Sequence, residues 1–207
     1  MLKRFIKWCD NMWYYYKYFI IAYIILGSTA IAIVYQFIER VIPDLRVGTY
    51  QVDLTIQERS FLMDYFTKAA IDVNNDGIVQ VGLTPMSDYM QLRISIANQA
   101  NSMLILKQDV FTEHAPLGAF ASLDHIINKD HSSIKSNPEV IATNRKTGKK
   151  HVYGVPLSDN KIFRNMDLPE SNLYIVMLRR DIKIASENQG YFDNAEKVIK
   201  MIMDDSI

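Results

Sequence analysis

Polar and apolar positions alternate at ordinary intervals along most of the chain, with one long exception near its start. Residues 18–38 (YFIIAYIILGSTAIAIVYQFI) hold no Asp, Glu, Lys or Arg. A helix of these 21 residues reaches roughly 31 Å, the thickness of a bilayer's hydrocarbon core. Rings collect at both ends: Trp13, Tyr14, Tyr15, Tyr16, Tyr18 and Phe19 on one side, Tyr35 and Phe37 on the other, as amphipathic aromatics do at the headgroup boundary. The pattern predicts a transmembrane helix. A secretory signal peptide would use Lys3, Arg4, Lys7 and Lys17 as its charged head, but it has a shorter apolar core and a small-x-small cleavage site. This stretch runs instead into Gln36-Phe37-Ile38-Glu39, so an uncleaved anchor is expected. Bulky residues recur among the cations before it (Leu2, Phe5, Ile6, Trp8, Cys9, Met12, Trp13). That spacing fits either a helix lying on the inner leaflet or the first turns of one long tilted helix.

Beyond the span, strand-like and helix-like patterns take turns. Residues 45–52 (LRVGTYQV) read as a strand. Thr55-Ile56-Gln57-Glu58 has the form of a capping box, in which hydroxyl and carboxylate satisfy free amides reciprocally. The helix it opens runs to about residue 70, with Phe61, Leu62, Tyr65, Phe66 and Ala69 on one stripe. Residues 78–83 predict a second strand, and residues 88–100 a second helix capped by Ser87, with Tyr89, Leu92, Ile96 and Ala100 inward. Residues 102–106 (SMLIL) are apolar throughout, as in a strand covered on both faces of a parallel sheet. Residues 109–111 suggest a short turn or helix, and residues 120–127 an apolar piece of no clear type. Residues 139–144 and 150–155 flank Arg145-Lys146-Thr147-Gly148-Lys149 as a hairpin with a cationic tip. Residues 171–179 form the last strong strand pattern, and 192–203 the last helix, with Ala195, Val198, Ile199 and Ile202 at helical spacing. The order predicts an α/β protein: an N-terminal transmembrane helix followed by one three-layer α/β sandwich domain with a mostly parallel sheet.

Charge sets the expected orientation. Residues 1–17 carry Lys3, Arg4, Lys7 and Lys17 against Asp10, and the rest of the chain carries 19 basic against 22 acidic residues. Positive-inside bias places residues 1–17 at the cytoplasmic face, 18–38 in the membrane and 39–207 outside as an extracytoplasmic domain. Cys9 is the one cysteine, so no disulfide holds the exported part, and about 165 residues must rely on an apolar core. A composition of 49% apolar and 22% charged residues excludes a disordered chain. With 23 basic and 23 acidic residues, the chain lacks the cationic excess that nucleic-acid binding uses, and no nucleic-acid partner is expected.

Two segments have the form of chemistry. Asp72, Asn74 and Asp76 occupy positions one, three and five of an EF-hand-type loop, Gly77 the sharp turn at six, and Ile78 the position that offers a carbonyl. Position twelve is Leu83 rather than the Glu that closes a calcium shell. The same residues also make an ordinary Asn/Asp/Gly turn, so calcium is a candidate cofactor and no other is expected. The cationic tip, with Arg145, Lys146, Lys149 and Lys150, reads as a solvated turn or as a contact for anionic headgroups or wall polymers. His114, His125, His131 and His151 lack the spacing of zinc ligands. Neither a nucleophile elbow nor a phosphate-cradling glycine loop occurs, and an enzyme is not expected.

Trp13-Tyr14-Tyr15-Tyr16-Lys17 before one span, Pro43-Asp44-Leu45-Arg46-Val47, the Asp-x-Asn-x-Asp-Gly loop, the 102–106 strand and Val152-Tyr153-Gly154-Val155-Pro156-Leu157 come in a telling order. It resembles that of membrane-anchored, shortened relatives of the extracellular solute-binding proteins of Gram-positive bacteria. The resemblance covers most of the chain through short motifs. It implies a type 2 periplasmic-binding-like fold, in which a Tyr-Gly-Val-Pro-like strand follows the first lobe and solute is gripped between two lobes. About 165 exported residues are too few for two lobes of usual size, which makes this a single-lobe variant without the conventional closing cleft. The expected function is a non-enzymatic accessory subunit beside a membrane protein, transport being one such process. The alternative is a tethered binder of a small solute or calcium, with Tyr50, Asp109, Tyr153 and Asp159 as wall residues at strand ends, where open α/β sheets bind ligands.

Overall fold

The structure is a computed structural model that describes residues 1–38, 42–127, 131–160, 163, 172–180 and 185–205. It divides into two units, Met1–Ile42 and Pro43–Ile207. The first is built on a single helix, α1 (Leu2–Ile38), 37 residues long and without a break between the cationic lead and the apolar stretch. Within it, Asn11–Tyr35 has a mean hydropathy of 2.1 over its most apolar window, long and apolar enough to cross a membrane or to serve as a signal sequence. Tyr23, Ile24, Leu26 and Ile31 are exposed. Two of the polar groups in this stretch are turned back on the helix: the Ser28 and Thr29 hydroxyls donate to the Ile25 carbonyl at 2.9 and 2.8 Å, which satisfies both donors without water.

The second unit is α/β. Its elements follow in the order β1 (Leu45–Tyr50), α2 (Ile56–Thr67), β2 (Val81–Met86), α3 (Tyr89–Asn98), β3 (Met103–Lys107), α4 (Gln108–His114), α5 (Ser132–Ser136), β4 (Ile141–Thr143), β5 (Lys150–Val152), β6 (Gly154–Pro156), β7 (Leu173–Met177) and α6 (Ala185–Asp204). The main sheet has the order β2-β1-β3-β7-β6. β2, β1 and β3 are parallel, β7 is antiparallel to both β3 and β6, and four of the five strands therefore point one way. The crossovers β1–α2–β2 and β2–α3–β3 travel in opposite directions along the sheet, so a right-handed sense for both sends α2 and α3 to opposite faces. On one face Phe111 of α4 stacks on Tyr174 at 5.0 Å, and the Tyr89 ring of α3 meets His114 at 5.8 Å. α2 and α6 belong together on the other: the Tyr65 hydroxyl donates to Asp205, and Ile71 N–H donates to Asn194 Oδ1 at 3.0 Å. Val47, Leu104, Ile105, Ile175, Val176, Val198, Ile199 and Ile202 are fully buried between these layers, each contributing about 1.5–3 kcal/mol.

Local signals place most elements. The Thr55 hydroxyl accepts from Glu58 N–H while the Glu58 carboxylate accepts from Thr55 N–H at 2.6 Å, and the expected box opens α2. Leu62, Tyr65 and Phe66 are buried, but Phe61 stays 43% exposed. α3 departs from expectation at both ends. Asp88, not Ser87, is its cap, accepting from Gln91 N–H at 2.9 Å; Gln99 takes a left-handed φ of 51° and turns the chain, leaving Ala100 outside and exposed. β2 starts at Val81 rather than residue 78, because the Ile78 and Gln80 amides are committed to Asp76 and Asp44 at 2.9 and 2.8 Å. The β4–β5 hairpin forms around its cationic tip. The single strand expected over 150–155 breaks at Tyr153: β5 stays with β4, and β6 joins the main sheet. Gly154 permits that close approach, since a Cβ there would meet Phe111 at 2.9 Å. Of the strand expected over 171–179, Ser171 lies outside the described residues, as do residues 39–41 at the start of the expected exported domain.

Candidate functional site

A buried carboxylate organises the start of the sheet. Asp44, fully buried just before β1, accepts from the amides of Val73 and Asn74 at 2.8 and 3.2 Å through Oδ1 and of Gln80 at 2.8 Å through Oδ2. Its own carbonyl accepts from Asn194 Nδ2 at 3.0 Å. One residue thus ties the start of β1 to the 72–78 loop through its side chain and to α6 through its carbonyl, and backbone donors replace the carboxylate's lost water. The loop it holds is internally paired. Asp72 accepts from the Asn75 and Gly77 amides at 2.7 and 2.8 Å, Asn74 Oδ1 from Asp76 N–H at 2.9 Å, and Asp76 from Ile78 N–H at 2.9 Å and Asn74 Nδ2 at 3.0 Å. These are the residues expected to offer calcium ligands. Their five side-chain oxygens all accept hydrogen bonds from within the loop, and Leu83 at the closing position sits within β2. Among the described residues no three His, Cys, Asp or Glu side chains are grouped to hold a metal.

The expected ligand residues separate. β1, β3 and β6 point the same way, so Tyr50, the start of α4 and the turn Leu157–Asp159 come to one edge, at the carboxyl ends of those strands. There β1 leads to β2 on one side while β3 leads away on the other, the switch point at which open sheets accept ligands. Tyr50 is buried at the end of β1 and its hydroxyl accepts from Gln51 Nε2 at 3.1 Å; Gln51 itself has a left-handed φ of 53°. Asp109 is exposed in the first turn of α4, and its carboxylate accepts from Val110 N–H at 2.8 Å. The side chain of Asp159 lies outside the described part of the structure. Tyr153 belongs elsewhere. It precedes β6, level with Met177 and Met103 at the opposite edge, because the strand expected through it splits between two sheets; its ring is buried and its hydroxyl accepts from Asn144 Nδ2 at 3.3 Å.

Three residues that the sequence did not assign to a ligand site complete the carboxyl edge. The Tyr89 hydroxyl donates to Glu113 Oε1 at 3.2 Å, and desolvation, then the Glu113 carboxylate, holds this phenol above the ordinary tyrosine range. His114, buried beneath the Tyr89 ring, has an Nδ1 with no hydrogen-bond partner among the described residues. Glu113 and Asp109 are one helical turn apart and share a face of α4. The edge therefore gathers two phenol rings and two carboxylates over a buried imidazole, groups that suit a small hydroxyl-rich or cationic solute. The only sequence signal for it was Glu113-His114 shortly after an apolar strand.

The other histidines pair with carboxylates: His131, buried, with Asp204 at 2.9 Å, His151 with Asp124 at 2.6 Å, and His125 with Glu196 at 3.5 Å. Burial works to raise the Asp124 carboxyl, but the Val152 amide, the His151 ring and the Ser122 hydroxyl outweigh it and hold the group below the usual carboxylate range.

No protein-family model and no curated protein matches the chain. Among solved structures, a solute-binding protein of an ABC transporter from Agrobacterium vitis S4 with bound D-mannitol is partly similar, at 17% identity and a TM-score of 0.35, over 55% of this chain and 26% of that one. A cyclo/maltodextrin-binding protein complexed with maltotetraose is similar at 13% identity and a TM-score of 0.34, over 57% of this chain and 29% of that one. The chain thus spans less than a third of the length of these proteins.

Proposed function

We propose that this chain is a membrane-anchored binding and interaction module, with α1 in the bilayer, its N-terminus cytoplasmic, and residues 39–207 outside as a non-enzymatic accessory subunit of a membrane complex, transport being the first process to examine. The observation that supports it is α1: its exposed apolar surface, with Ser28 and Thr29 turned inward on the backbone, suits lipid and is costly in water. The cations of residues 1–17 set the orientation. Two measurements test the reading. Alkaline carbonate should leave the chain in the membrane pellet, and an impermeant maleimide should label Lys146→Cys in a Cys9→Ser background while leaving native Cys9 unlabelled in intact cells. Release by carbonate, or the reverse labelling, overturns it. Purification of the full chain in mild detergent should then bring down one stoichiometric membrane protein.

A second reading has its own observation, the unpartnered His114 Nδ1 beside Tyr89 and Glu113: a tethered binder of a small solute at the carboxyl edge, or of calcium at the 72–78 loop. A solute that raises the melting temperature saturably in the wild type but not in Tyr89→Ala favours it.

A further inference from the structure

A cleft lies at the opposite edge of the sheet, away from the carboxyl ends of β1 and β3. It has a volume of about 380 Å³ and is lined by Ile96, Gln99, Gly118, Lys146, Arg179 and Arg180 among others. Three cations from two distant segments meet there, and among the described residues none has an ion-pair partner. Uncompensated like charges repel, so their convergence needs a structural cause, and the backbone supplies one. Arg145 N–H donates to the Pro116 carbonyl at 2.9 Å and Lys146 N–H to Asn144 Oδ1 at 2.9 Å, which seats the hairpin tip against the turn ending at Gly118. Arg179 is held from both sides: its N–H donates to the Ala119 carbonyl at 3.1 Å, and its own carbonyl accepts from Gln99 Nε2 at 2.8 Å.

Gly118 keeps the floor open. Its φ of 75° is left-handed, and a Cβ there would meet Asn144 Nδ2 at 3.1 Å and Arg179 Nη1 at 3.8 Å. Gln99, buried in the wall, adds a demand of its own. Its Nε2 is committed to the Arg179 carbonyl, which assigns the amide's orientation, and its Oε1 then has no partner among the described residues. The cleft's lining thus carries three cations and, on the buried Gln99 side chain, one acceptor without a partner among the described residues. Two guanidiniums and an ammonium match a phosphate better than a single carboxylate, because forked N–H donors pair with its several oxygens. The Gln99 acceptor calls for a hydroxyl beside that phosphate.

We propose that the cleft of Gln99, Gly118, Lys146, Arg179 and Arg180 binds a phosphate group carried next to a hydroxyl, as in a small polyol phosphate or a phosphoglycerol lipid headgroup. The full chain in phosphatidylcholine nanodiscs, titrated by calorimetry with glycerol phosphate, should bind it saturably, ever more weakly as salt rises, and should ignore glycerol. Arg179→Gln and Lys146→Gln should each weaken binding about tenfold or more, while Lys200→Gln, on the exposed side of α6, leaves it unchanged. Lys146 is exposed and its pinning contacts are made by backbone, so that variant folds whatever Arg179→Gln does. Absence of saturable binding, or equal binding by the Lys146→Gln and wild-type chains, overturns the proposal. Repeating the titration in phosphatidylglycerol nanodiscs separates the sources: competition that weakens the apparent affinity assigns the cleft to the lipid headgroup, and an unchanged affinity assigns it to a free polyol phosphate.

Discussion

The acidic 72–78 loop and the basic tip of the β4–β5 hairpin are both short, polar and charged, yet their charges have opposite fates. All four carboxylate oxygens of Asp72 and Asp76 accept hydrogen bonds from within the loop. The basic tip is shaped instead by the neutral side chain of Asn144, which accepts from the Lys146 and Thr147 amides at 2.9 and 3.3 Å, and Lys146 is left over to line a cleft. The cause lies in the chemistry of turns. A tight turn leaves N–H groups without ladder partners, and carboxylates, being acceptors, can satisfy them; ammonium and guanidinium groups only donate. An acidic turn therefore tends to absorb its own charge, and a basic turn to present it.

The comparison can be broken most severely at Asp44. Asp44→Ala would take the acceptor from two amides of the acidic loop, Val73 and Asn74, and from that of Gln80 just before β2, and a loss of about 3–5 kcal/mol is expected, read as a lower midpoint in thermal melting of the full chain followed by near-ultraviolet circular dichroism. The basic tip's cleft should lose far less if the two regions are independent. Next in size, Asp72→Ala with Asp76→Ala should cost about 2 kcal/mol with chelator present, through lost turn bonds. A calcium-dependent rise in melting temperature that appears in the wild type and vanishes in this pair would show that the loop's acceptors also serve an ion; equal melting of the wild type in calcium and chelator removes calcium from the second reading. Gly118→Ala should cost about 1–2 kcal/mol because it places a Cβ on a left-handed backbone, and it should narrow the cationic cleft, weakening glycerol phosphate binding as well.

The smallest effect is expected at Asp124, beneath the hairpin. Its folded pKa is depressed, so its contribution is present above the unfolded carboxylate value and is lost as pH falls through that value toward the folded one. Asp124→Asn should flatten the acid limb of the stability profile by less than about 1 kcal/mol, since the carboxylate is half exposed and screened. An unchanged profile would mean that the hairpin's base is held by packing alone.

How much was legible follows from the range of each signal. The Thr55 box, the 102–106 strand and the Ala195, Val198, Ile199, Ile202 stripe depend on neighbours within a few residues; the box and the stripe formed as read, and the strand formed one residue later, at Met103–Lys107. Ser87 lost its place to Asp88 by one position, a margin that adjacent capping residues do not resolve. Tyr153 was assigned to the wrong edge because the strand-like run 150–155 gives no sign that it changes sheets midway. Gln99 carried no signal at all: a glutamine at a helix end is unremarkable until its two amide atoms are seen, one bonded to Arg179 and one left over.

By itself the sequence determined the apolar length of α1, the α/β alternation and the residues that cap and stripe its helices, because each of these is encoded in a local period or a local hydrogen bond. Tertiary structure alone decided that β7 runs against β3, that Asp44 gathers the acidic loop, and that Gln99, Lys146 and Arg179 share one cleft. Those outcomes depend on which surfaces bury together across long stretches of chain, and the free energy that selects them is a property of the whole packed core rather than of any segment within it.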